Sequence, residues 1–562
     1  YPWPCSGHLR CAAAQGKRVT REAVHQTLMA MRTSILLVAA MEAVAASAQT
    51  PPPIEWQHRY GGSGNELPRS ISRTSDGGYI ACSNTQSSDG AVTGYHGGAD
   101  IWLVKMDADG TLEWERCYGG SGDEMAKCAA LEAPDGGYIL AGRTYSTDGD
   151  VSCPVTAGRL WVARIDINGD VLWDLCPAGP AVNSFGGIAP AHDGGWIICG
   201  STWTDGGSGC GQGLTDLWLG HVSDAGQLLW SRCYGGSQAD GASSIMATSD
   251  GAYLVTGSTR SNDGDLTGIN PYWNGPPPPQ TPHATGWVMK VDAVGDIIWQ
   301  YCYGGSSNDE LIAAAETTDG KFWVTGNTSS TDGDLAGNHG DFDGWVVLLD
   351  QNGELLGQRC IGGSAQERMF GVIALSNGQA LVTGDTFSTD GDVTETHGSA
   401  DAWVVVVTLG LDVAWQRSLG GALSDAWVTA IGTVDDGVAL ICSTRSNDGD
   451  LIDLPGHGEG DLWVLKLAPW SGTGVEDQAD ENGILLFPNP TTGDVQLDFG
   501  ALHGPGWQLE IMDALGRVVL TMSQVHATRG RLTIGTHGLS QGSYAVRLHR
   551  NGESHGRRFV KH

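Results

Sequence analysis

Short stretches of alternating apolar and polar residues recur along the chain, separated by Asp-Gly, Asn-Gly and Gly-Gly pairs. In residues 111–117, Leu112 and Trp114 alternate with polar neighbours, and the stretch ends at Tyr118-Gly119-Gly120. A run of mostly small residues, Met125–Leu131, follows, and Asp135-Gly136-Gly137 marks a turn. The apolar stretch Tyr138–Ala141, a polar loop through Asp148-Gly149-Asp150, and the stretch Leu160–Ile165 complete the unit before Asp166-Ile167-Asn168-Gly169. A period of two predicts strands. The D-G and N-G pairs supply the positive φ that tight hairpins need. One unit therefore reads as four short antiparallel strands.

The unit repeats. A Trp in the fourth strand recurs at Trp56, Trp114, Trp173, Trp230, Trp299 and Trp415, with Gly357 in the expected place between the last two. The intervals are 58 or so residues, except one of 69 that holds a Pro-rich insertion around Asn270–Pro279. A third-strand Trp recurs in all seven units, at Trp102, Trp161, Trp218, Trp287, Trp345, Trp403 and Trp463. Seven four-stranded units of this length predict a seven-bladed β-propeller over residues 54–470. The ends support closure. Ile54–Tyr60 is a fourth-type strand with no preceding partner, and Leu462–Leu467 is a third-type strand with no following one. Their pairing would complete the seventh blade. The Ala-rich first strands fit the crowded axis.

Composition narrows the class. Gly supplies 84 of 562 residues, about twice the usual ~7 % share. The net charge is −33. The first fifty residues and residues 484–562 each carry +3, so the part between carries −39. That balance opposes nucleic-acid or anionic-membrane partners. No apolar run of 18 residues exists, so no transmembrane helix is expected. Residues 1–28 show no hydrophobic period and read as an upstream extension. Residues 29–48 combine Arg32, the apolar Ile35–Ala40 and Ala46-Ser47-Ala48, the pattern of a secretory signal peptide. Export allows disulfides. Cys117, Cys176, Cys233, Cys302 and Cys360 recur at one repeat position, which favours buried small hydrophobes over bridges. Cys153 and Cys210 lie in loops of neighbouring units, where a Cys153–Cys210 bridge could form.

Candidate chemistry concentrates on one face. In an up-and-down blade, the loop from second to third strand shares a face with the loop between blades. The first carries an S/T/N-D-G-D pattern at Asp148/Asp150, Asp263/Asp265, Asp332/Asp334, Asp390/Asp392 and Asp448/Asp450. Clustered carboxylates suit Ca²⁺, although Asp in D-G turns also caps its own backbone. Both readings stand at this point. Trp203 and Trp273 fall outside the repeat pattern in loops of the same face, and are candidates for stacking on a ligand. Glycoside hydrolysis needs two carboxylates flanking a cleft, and no pair departs from the repeats. Nucleophile elbows, zinc motifs and phosphate loops are missing from the sequence.

After the polar linker 471–483, residues 484–562 show six short strand patterns and predict a small β-sandwich. They contain Leu486-Phe487-Pro488-Asn489-Pro490 with Gly493, then Asp513-Ala514-Leu515-Gly516-Arg517, then Gly542-Ser543-Tyr544, and a basic end through Arg558 and Lys561. In these residues the tail resembles the type A C-terminal sorting domain of type IX secretion in Bacteroidetes-like Gram-negative bacteria. The resemblance implies recognition by the type IX machinery and its sorting protease, and a location outside the outer membrane. The repeats resemble those common in such surface proteins, with the pattern W-x-x-x-Y-G-G-S. The resulting expectation is an all-β, exported propeller that binds glycans or cell-surface polymers. A polysaccharide-degrading, endoglucanase-like hydrolase and a purely structural surface protein are the alternatives.

Overall fold

The computed structural model describes residues 51–469 except 125–126, 128, 155–157, 178–181, 204–212 and 272–282, together with the tail strands and short flanks between 485 and 561. The expected upstream extension, signal peptide and linker lie outside the described residues. The chain divides into two compact units, at 470/471.

The first unit is a seven-bladed β-propeller. Blade 1 comprises Glu66–Arg73, Tyr79–Thr85, Asp100–Met106 and Leu112–Tyr118, paired antiparallel in chain order. Blades 2 to 6 repeat that order through Val413–Leu419. Blade 7 takes Asp425–Gly432, Val438–Thr444 and Asp461–Leu467 from one end of the ring and Ile54–Tyr60 from the other. Its seam runs from Ile54 opposite Leu467 to Tyr60 opposite Leu462, with one register shift between Ile54 and Trp56. Two terminal strands thus meet as the alternation predicted. The first strand of blade 1 also packs against blade 7, which closes the ring.

The repeated residues explain themselves in packing. All seven third-strand Trp are buried, none more than 1 % exposed. Burying a side chain of this size removes roughly 150–250 Å² from water, an upper limit of about 4–6 kcal/mol each. The fourth-strand Trp instead covers the hairpin turn of the next blade. A Cβ on Gly110 would strike the Trp56 ring, and Gly226 and Gly353 meet Trp173 and Trp299 in the same way. Tyr60 and Tyr118 seal these joints by donating their hydroxyls to the carbonyls of Gly110 and Gly169, at 2.7 and 2.8 Å. Where Gly357 replaces the Trp, Leu411 of the next blade's turn fills the space, at φ 67°.

Two cysteine expectations are corrected. Cys153 is bonded to Cys176, with Cα atoms 5.9 Å apart, and not to Cys210. The loop from second to third strand folds back onto the end of its own blade's fourth strand, where Cys176 stands. Cys176 and Cys233 are therefore not buried free thiols, because Cys233 is also disulfide-bonded. Cys117, Cys302 and Cys360 are free and buried as expected.

The tail unit is a small β-sandwich. One sheet holds Leu485–Phe487, Val495–Asp498 and Arg531–Ile534. The other runs Val518–Val525, Trp507–Asp513, Gly542–Arg550, Glu553–Lys561. Leu497, Trp507, Ile511, Ile534, Tyr544 and Leu548 share its core.

The seam depends on a buried ion pair. Arg59 Nε lies 2.6 Å from Asp461 Oδ2, and its guanidinium also donates to the carbonyl of Ser446 at 2.7 Å. Removing one partner leaves the other charge buried and unpaired. Arg59→Ala should cost about 3–5 kcal/mol, measured by urea unfolding of the full chain.

Candidate binding site at the mouth of the central channel

On one face the loops between blades dock onto the S/T/N-D-G-D loops of the following blade. The first acid of each loop takes one backbone N–H. Asp148 accepts from Ser121, Asp263 from Ser237, Asp332 from Ser306, Asp390 from Ser364 and Asp448 from Ala422, all at 2.7–2.8 Å. The second acid takes the first Gly of the inter-blade loop. Asp150, Asp265, Asp334, Asp392 and Asp450 accept from Gly119, Gly235, Gly304, Gly362 and Gly420 at 3.1–3.3 Å. These backbone donors hold the carboxyls of Asp148, Asp332 and Asp390 below the usual range. Arg359 and Arg417 add ion pairs to Asp392 and Asp450. Among the described residues, no group of three or more His, Cys, Asp and Glu side chains is placed to hold a metal ion. The arrangement is a clasp between blades in which each acid already has donors.

The other singled-out residues separate. Trp203 ends the strand Trp196–Trp203, opposite Thr215. Trp273 lies outside the described residues, as do Pro488, Asn489, Pro490, Gly493 and Gly516. Arg517 is exposed beside a strand, Gly542 and Lys561 lie in strands, and Tyr544 is buried in the sandwich core.

The axis carries a cluster that repeat reading missed. Among the described residues, the first strands of blades 1 and 3 to 7 each show a bulge, as at Pro68/Ser70 and Met369/Gly371. A bulge leaves one residue out of the ladder and re-aims its side chain. In blades 1 and 6 that residue is Arg69 and Phe370. In blade 7 the bulge between Ala426 and Thr429 contains Trp427, at φ 64°. A positive φ is a genuine outlier for a bulky side chain. It is held by the Trp427 N–H donating to Asp385 Oδ1 at 2.7 Å.

The Phe370 and Trp427 rings stack, 5.2 Å apart at 24°. The guanidinium carbons of Arg69 and Arg368 each lie 5.3 Å from the Trp427 ring. Arg368 also donates to Asp385 Oδ2 at 2.7 Å. Burial pushes the Asp385 carboxyl up to about 7, against the pull of Arg368. Lys127 of blade 2 reaches past blade 3 to the Ser243 carbonyl of blade 4, at 3.1 Å. Desolvation and the nearby Arg69 hold its ammonium below the ordinary lysine value, while Glu310 raises it. Aromatic faces and cations from blades 1, 2, 6 and 7 thus line one end of the channel. In sequence, the signal was Arg69, Phe370 and Trp427 standing where blade 4 has Ser243 and blade 5 has Ile312.

Comparison with known proteins places the tail. Residues 485–562 match the secretion system C-terminal sorting domain family. That tail is a type IX sorting domain, and it marks the chain for export to the cell surface or secretion. Over 437 residues the chain is 23 % identical to the regulatory protein FlaEY of Caulobacter vibrioides, spanning 69 % of this chain and 43 % of that protein. The chain therefore covers less than half of that relative's length. Among solved structures, the Pan2 WD40 domain of Neurospora crassa aligns with 73 % of this chain and 90 % of its own, at 11 % identity and TM-score 0.38. A gluconolactonase of Xanthomonas campestris aligns with 74 % and 99 %, at 14 % identity and TM-score 0.31. Among the described residues no helix is long and apolar enough to cross a membrane.

If the clasps are complete without metal, the melting temperature of the full chain will be the same in EDTA as in millimolar calcium. A calcium-dependent rise that disappears in Asp390→Asn would instead assign an ion to these loops.

Proposed function

We propose that this exported propeller is a recognition module that binds a glycan or related cell-surface polymer at the acidic-face mouth of its channel, without turning it over. The Phe370–Trp427 stack flanked by Arg69 and Arg368 carries this reading. Its residues depart from the repeat pattern, and Trp427 keeps a strained backbone at the bulge. Strain of this kind costs of order 1–3 kcal/mol and gathers at functional sites. Aromatic faces offer apolar contact to sugar rings, and guanidinium forks donate to hydroxyl and carboxylate oxygens. The chemistry favours recognition over hydrolysis. A hydrolase needs two carboxylates free to act across a cleft, whereas those described above are engaged by backbone N–H groups and arginines.

A panel of polysaccharides and outer-membrane polymers, tested against the full chain by calorimetry, checks this reading. Binding to at least one member is expected, weakened at least tenfold by Trp427→Ala. Equal binding by the variant, or no binding together with self-association, would leave the purely structural reading. Release of reducing ends would establish the hydrolase instead.

A further inference from the structure

The blade junctions hold a second set of carboxylates, deeper than the clasp acids. At the head of a third strand stands Asp100, Asp343 or Asp401; facing it, Glu124 precedes the next blade's first strand, and Glu367 or Asp425 heads it. All six are at most 1 % exposed. At the first two junctions glycine brings them together. A Cβ on Gly119 would lie within 3.0 Å of Asp100 Oδ1 and closer still to Glu124 Oε2. Gly362 stands in the same way between Asp343 and Glu367. This close approach is why the first Gly of the inter-blade loop admits no side chain.

The hydrogen bonds at each junction leave one gap. Glu124 accepts from Gly120 N–H at 2.8 Å and from the Thr144 hydroxyl at 2.6 Å. Asp100 Oδ2 accepts from His96 N–H at 2.7 Å and faces His96 Nδ1 at 2.9 Å. Glu367 and Asp343 repeat this with Gly363, Thr386 and His339. Asp425 accepts from Gly421 N–H and the Ser446 hydroxyl, and Asp401 from His397 N–H. In all three aspartates Oδ1 is buried and has no partner. A buried acceptor without a donor beside a second buried carboxylate is costly twice over, through desolvation and through like-charge repulsion. What each junction lacks is a single donor, not the six to eight oxygens of a calcium shell.

We propose that each of these three junctions binds one proton, carried on the aspartate Oδ1 and donated to the facing acid of the next blade, so that the ring of blades is a pH-sensitive joint. The proton comes from solvent. An O–H bond forms at Oδ1, and the pair holds one negative charge instead of two. The other ionisable groups that face the first pair are His96, Tyr95 and Cys117. His339 and Cys360 face the second pair, and His397 and Cys442 the third. Burial pushes the Asp100 carboxyl up to about 6 and raises Asp343, Asp401 and Asp425. Two other junctions vary the theme. Arg59 supplies a permanent cation to Asp461 at the seam, and Thr285, uncharged and buried, takes the aspartate's place opposite Asp309.

The sign follows from linkage. A carboxyl whose pKa is raised on folding stabilises fully below its unfolded value near 4, and that stability is lost as pH rises through the folded value. For the proton at Asp100, the unfolding constant of the full chain should therefore rise up to tenfold per pH unit between about 4 and 6. Asp100→Asn places an amide donor where the proton would be. It should flatten that slope by one proton and raise the urea midpoint at pH 7.5, whereas Asp100→Ala should lower the midpoint throughout. Infrared spectra of the unmodified chain provide a readout that does not depend on folding of a variant. A buried protonated carboxyl band should persist at pH 5.5, above the range where exposed carboxyls titrate, and diminish in Asp100→Asn. Measurements in EDTA and tetramethylammonium salt separate the proton from a bound cation. No such band at pH 5.5, or stability that follows sodium or calcium instead of pH, would overturn the proposal.

Discussion

The close approach of glycine backbone to carboxylate is the constraint on which the rest of this propeller depends. Five of the seven fourth strands end in Gly-Gly and enter a clasp of the Asp-Gly-Asp kind, from Gly119-Gly120 to Gly420-Gly421. The first Gly lies against a buried acid of the next blade. The second lies against the Asp-Gly-Asp turn, where a Cβ on Gly120 would come within 2.5 Å of Asp148 Oδ1. The acids then accept the backbone N–H groups of the same loop, so polar groups at the joint satisfy one another. Blades pack through Trp and Tyr on the outside and through these clasps on one face. The high Gly and Asp content of the sequence is a consequence of that joint.

Much of this was legible because repetition multiplies weak signals. A single Trp in an alternating stretch says little, but seven at one position predicted the buried third strands, and the unmatched end strands predicted the seam between Ile54–Tyr60 and Asp461–Leu467. The Asp-Gly-Asp loops were legible as a pattern and ambiguous as chemistry, since turn capping and cation binding ask for the same residues. Only the positions of Ser121 and Gly119 N–H show what Asp148 and Asp150 touch. The disulfide escaped because sequence separation does not reveal which way a loop folds. Cys153 bonds to Cys176, which follows its own blade's fourth strand.

The channel cluster was least legible for the same reason that the fold was most legible. Averaging over repeats draws attention to what is shared, and Arg69, Phe370, Arg368 and Trp427 are where the units differ. Bulges give those positions freedom, because a residue outside the ladder can change without disturbing strand pairing. The repeats hold the scaffold, and the recognition role proposed here rests on the residues that depart from them. The sorting tail supplies the third part, a separate β-sandwich whose family match accounts for export.

Hydrogen–deuterium exchange of the full chain, free and saturated with the tightest-binding polymer, tests this division most directly. The account predicts added protection confined to the bulged first strands, around residues 67–70, 368–371 and 426–429, with the outer strands unchanged. Protection on the outer strands or the hairpin turns of the opposite face, with the channel mouth unaltered, would contradict it.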